Sequence, residues 1–296
     1  MRNQKKAYGG LMLITALWGV SFPVMDACLT RMGPFTFVAL RYLGAAIVLS
    51  FLCVKHGMQK GTGVFKDGIL VGIPYAAAAV FQMIGLGQTS VANASFITGL
   101  TVVFVPLIVW LFERIVPSGS TLTGIVISQI GVAVMTKAWN LDINKGDLWV
   151  LLSAIAFSLQ IYHLEKYGKE KEPLSLTCVV LWTVTVLTLP AAIGKEKLVL
   201  QMDWKLAAAL FFVSVICTAW AIFAQNLFQP QVPASKAAVI YLLEPVTATA
   251  FSLILGERIG MFQIIGGIFI LSGAWTIISC GSGKHNSDGR YDGNEI

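Results

Sequence analysis

Charged residues are scarce in this chain of 296 residues: they make up 12% of the sequence, against 56% for hydrophobic residues. In an average soluble domain about a quarter of the residues are charged. A soluble fold of this length would therefore lack the polar surface that it needs. The shortage, together with a mean hydropathy of +0.75, predicts a chain that lies largely within a bilayer.

The residues that usually carry enzyme chemistry are also few. The sequence has three histidines and five cysteines, and it contains no HExxH, CxxC or GxxxxGK[ST] motif. These absences argue against a zinc hydrolase, a disulfide framework and an ATPase. No metal and no cofactor is expected, and the cysteines are interpreted as small buried apolar residues.

Positive charge exceeds negative charge by six, but lysine and arginine do not join aromatic residues in a face that suits nucleic acid. They concentrate in the loops between apolar runs. With the N-terminus in the cytoplasm, 13 of the 21 Lys and Arg residues lie in cytoplasmic segments and seven in outer ones. This bias predicts a multi-pass protein of the cell membrane with both termini in the cytoplasm.

The run from Ser235 to Arg258 is the most informative stretch. It holds about twenty apolar residues, enough for a helix to cross a bilayer core of roughly 30 Å. Glu244 lies in its middle and is followed by Pro245. A carboxylate at this depth is costly when it is ionised and unpaired, so Glu244 is expected to face protein or water. A related run, 94–114, carries a proline but no Glu-Pro pair.

Ten apolar runs have the length of membrane-crossing helices, which predicts an all-α membrane protein. Their approximate bounds are 8–25, 35–54, 68–88, 94–112, 121–139, 148–164, 174–194, 206–228, 237–256 and 259–281. The remaining residues, 282–296, are predicted to form a polar cytoplasmic tail without stable structure.

The two halves of the chain, 1–140 and 141–281, share a pattern in which matching residues are 139 to 144 positions apart. The matched pairs are Trp18 with Phe157, Pro34 with Pro173, Gln82 with Gln225, Glu113 with Glu257, Gly124 with Gly266 and Gly131 with Gly273. Each half holds five predicted spans, an odd number, so the second half must enter the membrane from the opposite side. The sequence therefore predicts two inverted five-helix repeats, with a binding site at their interface near the midplane of the bilayer.

Three segments carry a resemblance to a known family: ALWGVSFP in the first span, PFTFVALRYLGAA in the second and YLLEPVTATAFSLILGERI in the ninth. They resemble the EamA-type transporters of the drug/metabolite transporter superfamily, over about residues 8–280. The resemblance implies ten helices in two inverted repeats, and movement of small metabolites or drugs across the cytoplasmic membrane, with export favoured. The second half departs from the family at Phe157-Ser158, where a tryptophan and a small residue are common. The halves are therefore not expected to contribute equally to the site.

Arg41 and Glu244 are the two charged residues that lie well inside the predicted spans. Counted from the span ends at a helical rise, Arg41 lies about 10 Å from the outer face and Glu244 about 13 Å from the inner face. We predict that both face one cavity and bind substrate, and a direct ion pair between them is left open. In the alternative, Arg41 reaches outward to Asp26 or to headgroups, while Glu244 bonds near the Pro245 kink. Glu244 is also a candidate proton carrier, with a purely structural acid as the equal alternative.

Aromatic and amide side chains inside the spans complete the predicted substrate-binding set: Trp18, Gln82, Gln160, Gln225 and Tyr241. Tyr241 precedes Glu244 by three residues, so a continuous helix would place both on one face. Helix packing is an equal alternative for the tryptophan, and hydrogen bonding between helices is the safer interpretation for any one amide alone.

Three prolines within spans are candidate hinges, because each interrupts the hydrogen-bond ladder of its helix: Pro23, Pro106 and Pro245. The glycines of the fifth and tenth spans suit close helix packing, either within the chain or along the seam of a homodimer.

These features favour a secondary transporter of small organic molecules, amino-acid-like or amphiphilic, that works by alternating access with protons as the candidate coupling ion. The alternative is a polytopic membrane enzyme that acts on lipid or on a lipid-linked substrate. Such an enzyme needs catalytic groups clustered at a membrane face, and this chain offers few. The protein is therefore not expected to be an enzyme.

Overall fold

A computed structural model of the protein describes residues 2–58, 62–140, 144–196, 202–254 and 260–280. Within these ranges every regular element is a helix, which confirms the predicted all-α class. The predicted tail at 282–296 and the Glu257-Arg258 pair lie outside the described residues.

The described helices of the first half are α1 (Arg2–Leu29), α2 (Pro34–His56), α3 (Thr62–Leu86), α4 (Val91–Gly99), α5 (Thr101–Glu113) and α6 (Gly119–Thr136). Those of the second half are α7 (Lys145–Gly168), α8 (Pro173–Lys195), α9 (Trp204–Phe211), a π-helical segment (Phe212–Trp220), α10 (Ala221–Phe228), α11 (Ala234–Tyr241), α12 (Glu244–Ile254) and α13 (Met261–Cys280). Short 3₁₀ turns follow α6 (Ala138–Asn140) and α10 (Gln229–Gln231).

Nine segments of the described chain are long and apolar enough to cross a membrane. They correspond to nine of the ten predicted spans, with α4 and α5 together forming one span and α9 to α10 forming another. The predicted span at about 237–256 falls on α11 and α12, which have eight and eleven residues. Each is too short to cross a bilayer alone, and residues 255–259 lie outside the described ranges.

Polar side chains fix several helix starts by accepting hydrogen bonds from backbone N–H groups that have no partner inside the helix. Ser90 begins α4 and Ser118 begins α6 in this way. Asp203 begins α9 by accepting from the Leu206 N–H at 2.8 Å, and it also pairs with Arg31 at 2.8 Å. The N–H and the guanidinium together hold the pKa of Asp203 below its usual value.

Two of the apolar segments are broken near their middle. The chain leaves the helix at Leu100, between α4 and α5, and at 242–243, between α11 and α12. Glu244 and Pro245 then form the first turn of α12. A proline is tolerated there because its missing N–H has no partner to lose, and a carboxylate meets the positive end of the helix dipole. The expectation that Pro245 interrupts the middle of a continuous helix is therefore wrong.

Helices α6 and α13 pack with their backbones in contact. A Cβ on Gly124 would lie 2.8 Å from the Gly273 carbonyl oxygen, and a Cβ on Gly131 would lie 2.7 Å from that of Gly266. The contacts run in opposite directions along the two helices, so α6 and α13 are antiparallel. Since these four glycines are used within one chain, they lend no support to a homodimer seam.

Two large apolar clusters and a third, smaller one fill the interior of the described part of the chain. One large cluster joins α1, α5, α6, α11 and α13 and includes Leu11 and Ile240, while the other large cluster joins α2, α3, α8 and the π-helical segment and includes Phe37 and Val213. Many large apolar side chains lie instead on the outside of the bundle, and Val54 is 86% exposed. An apolar exterior of this kind is suited to lipid.

Candidate functional site

A cavity of about 560 Å³ lies inside the helical bundle, and all seven predicted binding residues line it. They are Trp18, Arg41, Gln82, Gln160, Gln225, Tyr241 and Glu244. These residues come from α1, α2, α3, α7, α10, α11 and α12, so both halves of the chain build the wall. That the residues bind a substrate stays a prediction.

The cavity reaches towards one end of the bundle. Asp26 near the end of α1, Leu86 at the end of α3 and Gln263 near the start of α13 line it on that side. Towards the other end, Leu11 and Ala237 belong to an apolar cluster and are fully buried. The site is therefore asymmetric along the axis of the bundle.

The two helix breaks meet beside the cavity. Gly99 and Thr101 line it from the first break, and Leu242 and Glu244 line it from the second. A Cβ on Gly99 would lie 3.3 Å from Cδ2 of Leu242. On α1, a Cβ on Gly19 would lie 2.6 Å from the Glu244 carbonyl oxygen, so α1 closes tightly on the start of α12.

Glu244 lines the cavity from the first turn of α12. Among the residues that the structure describes, none forms an ion pair or a hydrogen bond with this carboxylate. Tyr241 lines the same cavity, although the turn at 242–243 removes the continuous helix face that was expected to bring the two side chains together. Tyr241 ends α11 and Glu244 begins α12, so the two side chains reach the cavity from either side of the turn at 242–243.

Arg41 is 8% exposed, and its guanidinium is held by three neighbours. Its Nε donates to Thr218 Oγ1 at 2.6 Å, and its Nη1 donates to Met25 Sδ at 2.9 Å. The guanidinium carbon also lies 5.4 Å from the centre of the Tyr42 ring, within the range of a cation–π contact. The charge of Arg41 is therefore buried among polar and polarisable groups.

Arg41 and Glu244 share the cavity wall without pairing. Within the described part of the chain, Arg41 has no ion pair within 4.0 Å, either with Glu244 or with Asp26. Neither the direct pair nor the outward contact with Asp26 is present. The side chain turns towards the π-helical segment instead.

The π-helical segment supports two of the cavity residues. Thr218 donates through its hydroxyl to the Val213 carbonyl, five residues earlier, at 2.7 Å, and accepts from Arg41. The preceding carbonyl, that of Cys217, accepts from the Trp18 indole N–H at 3.1 Å. π-Helical turns are rare and occur frequently at functional sites. Here one such segment anchors both an aromatic and a cationic side chain of the cavity.

Aromatic rings cover much of the remaining wall. The rings of Trp18 and Tyr241 have centroids 5.6 Å apart. Tyr75 lies edge-on between Tyr42 and Phe157, with centroid distances of 5.8 Å to both. All five line the cavity, which gives it flat apolar surfaces with hydroxyl groups among them.

A chain of hydrogen bonds joins two amides and a tyrosine. The Gln229 Nε2 donates to the Ile161 carbonyl at 2.8 Å, and its Oε1 accepts from the Tyr241 hydroxyl at 2.9 Å. The same Oε1 also accepts from Gln225 Nε2 at 3.0 Å. Gln225 and Gln229 are 2% and 0% exposed, so these bonds are shielded from solvent.

The predicted hinge prolines fall in different places. Pro23 and Pro245 line the cavity, whereas Pro106 is buried in α5 and is not part of the cavity wall. Whether any of them acts as a hinge stays a prediction.

Several residues of the site were not predicted from the sequence. They are Asp26, Tyr42, Tyr75, Phe157 and Gln229. A tyrosine in the middle of an apolar span is a usable signal, because its hydroxyl needs a partner away from lipid. Gln229 offers no such signal, since it follows a helix end next to Pro230.

Comparison with known proteins adds a family assignment. The sequence profile of the EamA-like transporter family matches residues 5–137 and again residues 144–279. An uncharacterized transporter of Archaeoglobus fulgidus is 30% identical over 263 residues, which cover 88% of this chain and 82% of the relative. The uncharacterized transporter YyaM of Bacillus subtilis is 25% identical over 281 residues, covering 87% and 88% of the two chains.

A solved crystal structure shares the fold. It superposes on this chain with a TM-score of 0.78 at 14% sequence identity, and the match covers 93% of this chain and 97% of the other. At this level of identity the likeness concerns the fold alone.

Proposed function

Since the chain belongs to the EamA-like transporter family and is a multi-pass membrane protein, we propose that it is a secondary transporter that exports small organic molecules, amino-acid-like or amphiphilic, by alternating access. The observation that carries this proposal is the cavity. Seven polar and aromatic residues from distant parts of the sequence meet there, where two broken helices touch. Discontinuous helices in corresponding positions of two halves commonly form the substrate sites of transporters.

The proposed architecture is a pair of inverted five-helix repeats, 1–140 and 141–281, with α11 and α12 together completing ten spans. Three observations support it. The family profile matches the chain twice, the breaks at Leu100 and at 242–243 fall at the spacing of the sequence repeat, and α6 and α13 are antiparallel. An odd number of spans in each half would make equivalent helices antiparallel.

We place both termini in the cytoplasm of a cell-membrane protein, on the distribution of Lys and Arg. The end of the cavity near Asp26 and Gln263 then faces outward, and the apolar packing around Leu11 and Ala237 closes the cytoplasmic side. Export would require a second state in which this packing opens and the outer end closes.

Protons are the proposed coupling ion, with Glu244 as their carrier. Its carboxylate lines the cavity and has no partner among the described residues, so a proton or a substrate cation can reach it without first breaking an internal ion pair. A structural acid at the start of α12 is the competing role. The two roles differ in whether Glu244→Gln changes proton movement.

A membrane enzyme acting on lipid is less well supported. Within the described residues, no group of three or more His, Cys, Asp or Glu residues could hold a metal ion. The family membership favours transport.

The direct test is flux in proteoliposomes. Purified protein is reconstituted into liposomes, which are loaded with a panel of labelled amino acids and organic cations. The release of each compound is compared with its release from protein-free liposomes. We expect saturable release of at least one class, and slower release with Trp18→Ala. If no compound moves faster than through protein-free liposomes, while the protein turns over a lipid, the transporter proposal fails.

A further inference from the structure

The amide of Gln225 has a fixed orientation that can be traced from a backbone group. The Ile161 carbonyl can only accept, so the Gln229 atom that faces it is the donor Nε2. Gln229 therefore turns its Oε1 towards Gln225 and Tyr241. The Gln225 atom that meets this oxygen must in turn be the donor Nε2, which also donates to the Tyr241 oxygen at 3.2 Å.

This leaves the Gln225 Oε1 as an acceptor on a residue that lines the cavity, although the oxygen itself has less than 1 Å² of accessible surface. The residue is 2% exposed, and no described residue donates a hydrogen bond to this oxygen. A buried acceptor without a donor is unfavourable, because it has lost its hydrogen bonds to water and gained none in return. A ligand that brings a donor would supply the missing hydrogen bond on binding.

Other acceptors in the same cavity also favour a ligand that carries hydrogen-bond donors. The Glu244 carboxylate accepts no hydrogen bond from the described part of the chain. Thr98 also lines the cavity, and its buried hydroxyl, which can accept as well as donate, has no partner among the described residues. Arg41 has five N–H donors, of which two are engaged, with Thr218 and Met25.

The charge and the aromatic rings of the cavity wall also favour a cationic ligand. Among the described residues, the charged ones that line the cavity are two carboxylates, Asp26 and Glu244, and one guanidinium, Arg41. Rings of Trp18 and Tyr241 lie beside the acceptors, and faces of aromatic rings attract cations. The wall thus suits a cation that carries N–H donors and an aromatic or apolar body.

From these contacts we propose that the cavity binds aromatic primary amines, with the ammonium N–H groups donating to Gln225 Oε1 and to the Glu244 carboxylate. This inference rests on the proposed function and narrows its substrate class. It separates primary ammonium groups from quaternary ones, which carry the same charge but have no N–H to donate.

The test is equilibrium binding to the purified full chain, measured by isothermal titration calorimetry with protein-free micelles as the blank. The probes are tyramine and its N,N,N-trimethyl analogue, which have the same ring and the same charge. We expect tyramine to bind at least tenfold more tightly. This ratio is read on the wild-type protein, so it does not depend on whether any variant folds.

The companion variant is Gln225→Met, which keeps the length of the side chain and removes the whole amide, both the Oε1 acceptor and the Nε2 that donates to Gln229 and Tyr241. A hydrogen bond to a charged donor corresponds to roughly a 10- to 100-fold change in affinity. We expect the variant to weaken tyramine binding within this range and to leave the trimethyl analogue unaffected. Gln88→Met is the matched control, because Gln88 is exposed at the end of α3 and outside the cavity, and it should bind like the wild type.

Equal binding of the two probes, or no binding of tyramine, would overturn the inference. So would a Gln225→Met variant that is folded and keeps the wild-type preference. These outcomes do not touch the transporter proposal, which is decided by the flux measurement. Selective tyramine binding without flux of any compound would support the binding inference and contradict the transporter proposal.

Discussion

Leu242 and Gly99 bring the two helix breaks into contact, with the leucine Cδ2 lying 3.3 Å from the place that a Cβ on the glycine would occupy. Two chain segments that have left the helical path therefore touch at one point beside the cavity. This contact leaves little room for a larger side chain, and it makes a first prediction.

Gly99→Val should destabilise the protein and slow transport. The added methyl groups would press on Leu242 and on Val132, whose Cγ1 is also 3.3 Å away. Overpacking of this kind typically costs about 1–3 kcal/mol. Thermal unfolding in detergent and flux in proteoliposomes measure the two effects. Gly9→Val is the control, since a Cβ at Gly9 meets nothing within 4 Å.

The seam between α6 and α13 gives a matched pair of substitutions within one helix. Gly131→Ala would place a Cβ 2.7 Å from the Gly266 carbonyl oxygen, so the backbones would have to separate. We expect a loss of stability of at least about 1 kcal/mol. Gly119→Ala, in open space at the start of α6, should be neutral or should stabilise by up to roughly 1 kcal/mol. Equal effects of the two changes in thermal unfolding would contradict the packing described.

Thr218→Val tests the anchoring of Arg41 by the π-helical segment. The substitution keeps the shape of the side chain but removes the hydroxyl that accepts from Arg41 and donates to Val213. Leaving a buried donor unpaired costs about 1–3 kcal/mol. We expect lower stability and weaker substrate binding, measured by unfolding and by titration of a transported compound. Thr218→Ser retains the hydroxyl and should restore both properties; failure of the serine variant would point to packing instead.

Glu244→Gln should abolish proton movement that is linked to substrate, while the protein remains folded. The amide keeps the size of the side chain but cannot carry a proton between the two sides of the membrane. A pH-sensitive dye inside proteoliposomes reports the linked flux. Glu113→Gln is the comparison, because Glu113 pairs with Lys166 at an exposed helix end and lies outside the cavity. If proton movement is unchanged in Glu244→Gln, Glu244 is not the proton carrier and its role is structural.

Exchanging the charges of Arg41 and Glu244 should not restore function. Because the two residues form no ion pair in the structure, Arg41→Glu and Glu244→Arg each remove a separate set of contacts. The double variant should therefore be at least as impaired in flux as either single one. Recovery in the double variant would show that a state with a direct pair exists during transport.

Much of the site could be predicted because exposing a polar group to lipid is unfavourable, so polar side chains inside apolar segments are expected to face protein or water. Glu244, Gln82 and Gln160 stand out in their spans, and burial next to protein or water is the inexpensive arrangement for each. These polar residues of the wall can therefore be predicted without knowing the path of the chain. The helix boundaries followed from the apolar runs and from prolines at helix starts, such as Pro34 and Pro173.

The remaining features depend on contacts between distant residues, and local sequence does not encode them. The break at 242–243 occurs at two leucines, which are good helix formers, and it lies before Pro245 instead of at it. The π-helical segment has an ordinary apolar sequence. Its position becomes meaningful only when Thr218 meets Arg41, 177 residues away along the chain.

The glycine seam also limits how the molecule can move. A Cβ on Gly124 or Gly131 would lie 2.8 or 2.7 Å from a carbonyl oxygen of α13, and the side chains of Ile270 and Ile277 pack beside these contacts. Sliding one helix along the other would therefore drive carbonyl oxygens against the facing backbone. Two helices held together in this way are expected to move as one rigid unit. If the protein works by the proposed alternating access, the motion that opens the other end of the cavity should leave α6 and α13 together and take place in the interrupted helices α4–α5 and α11–α12.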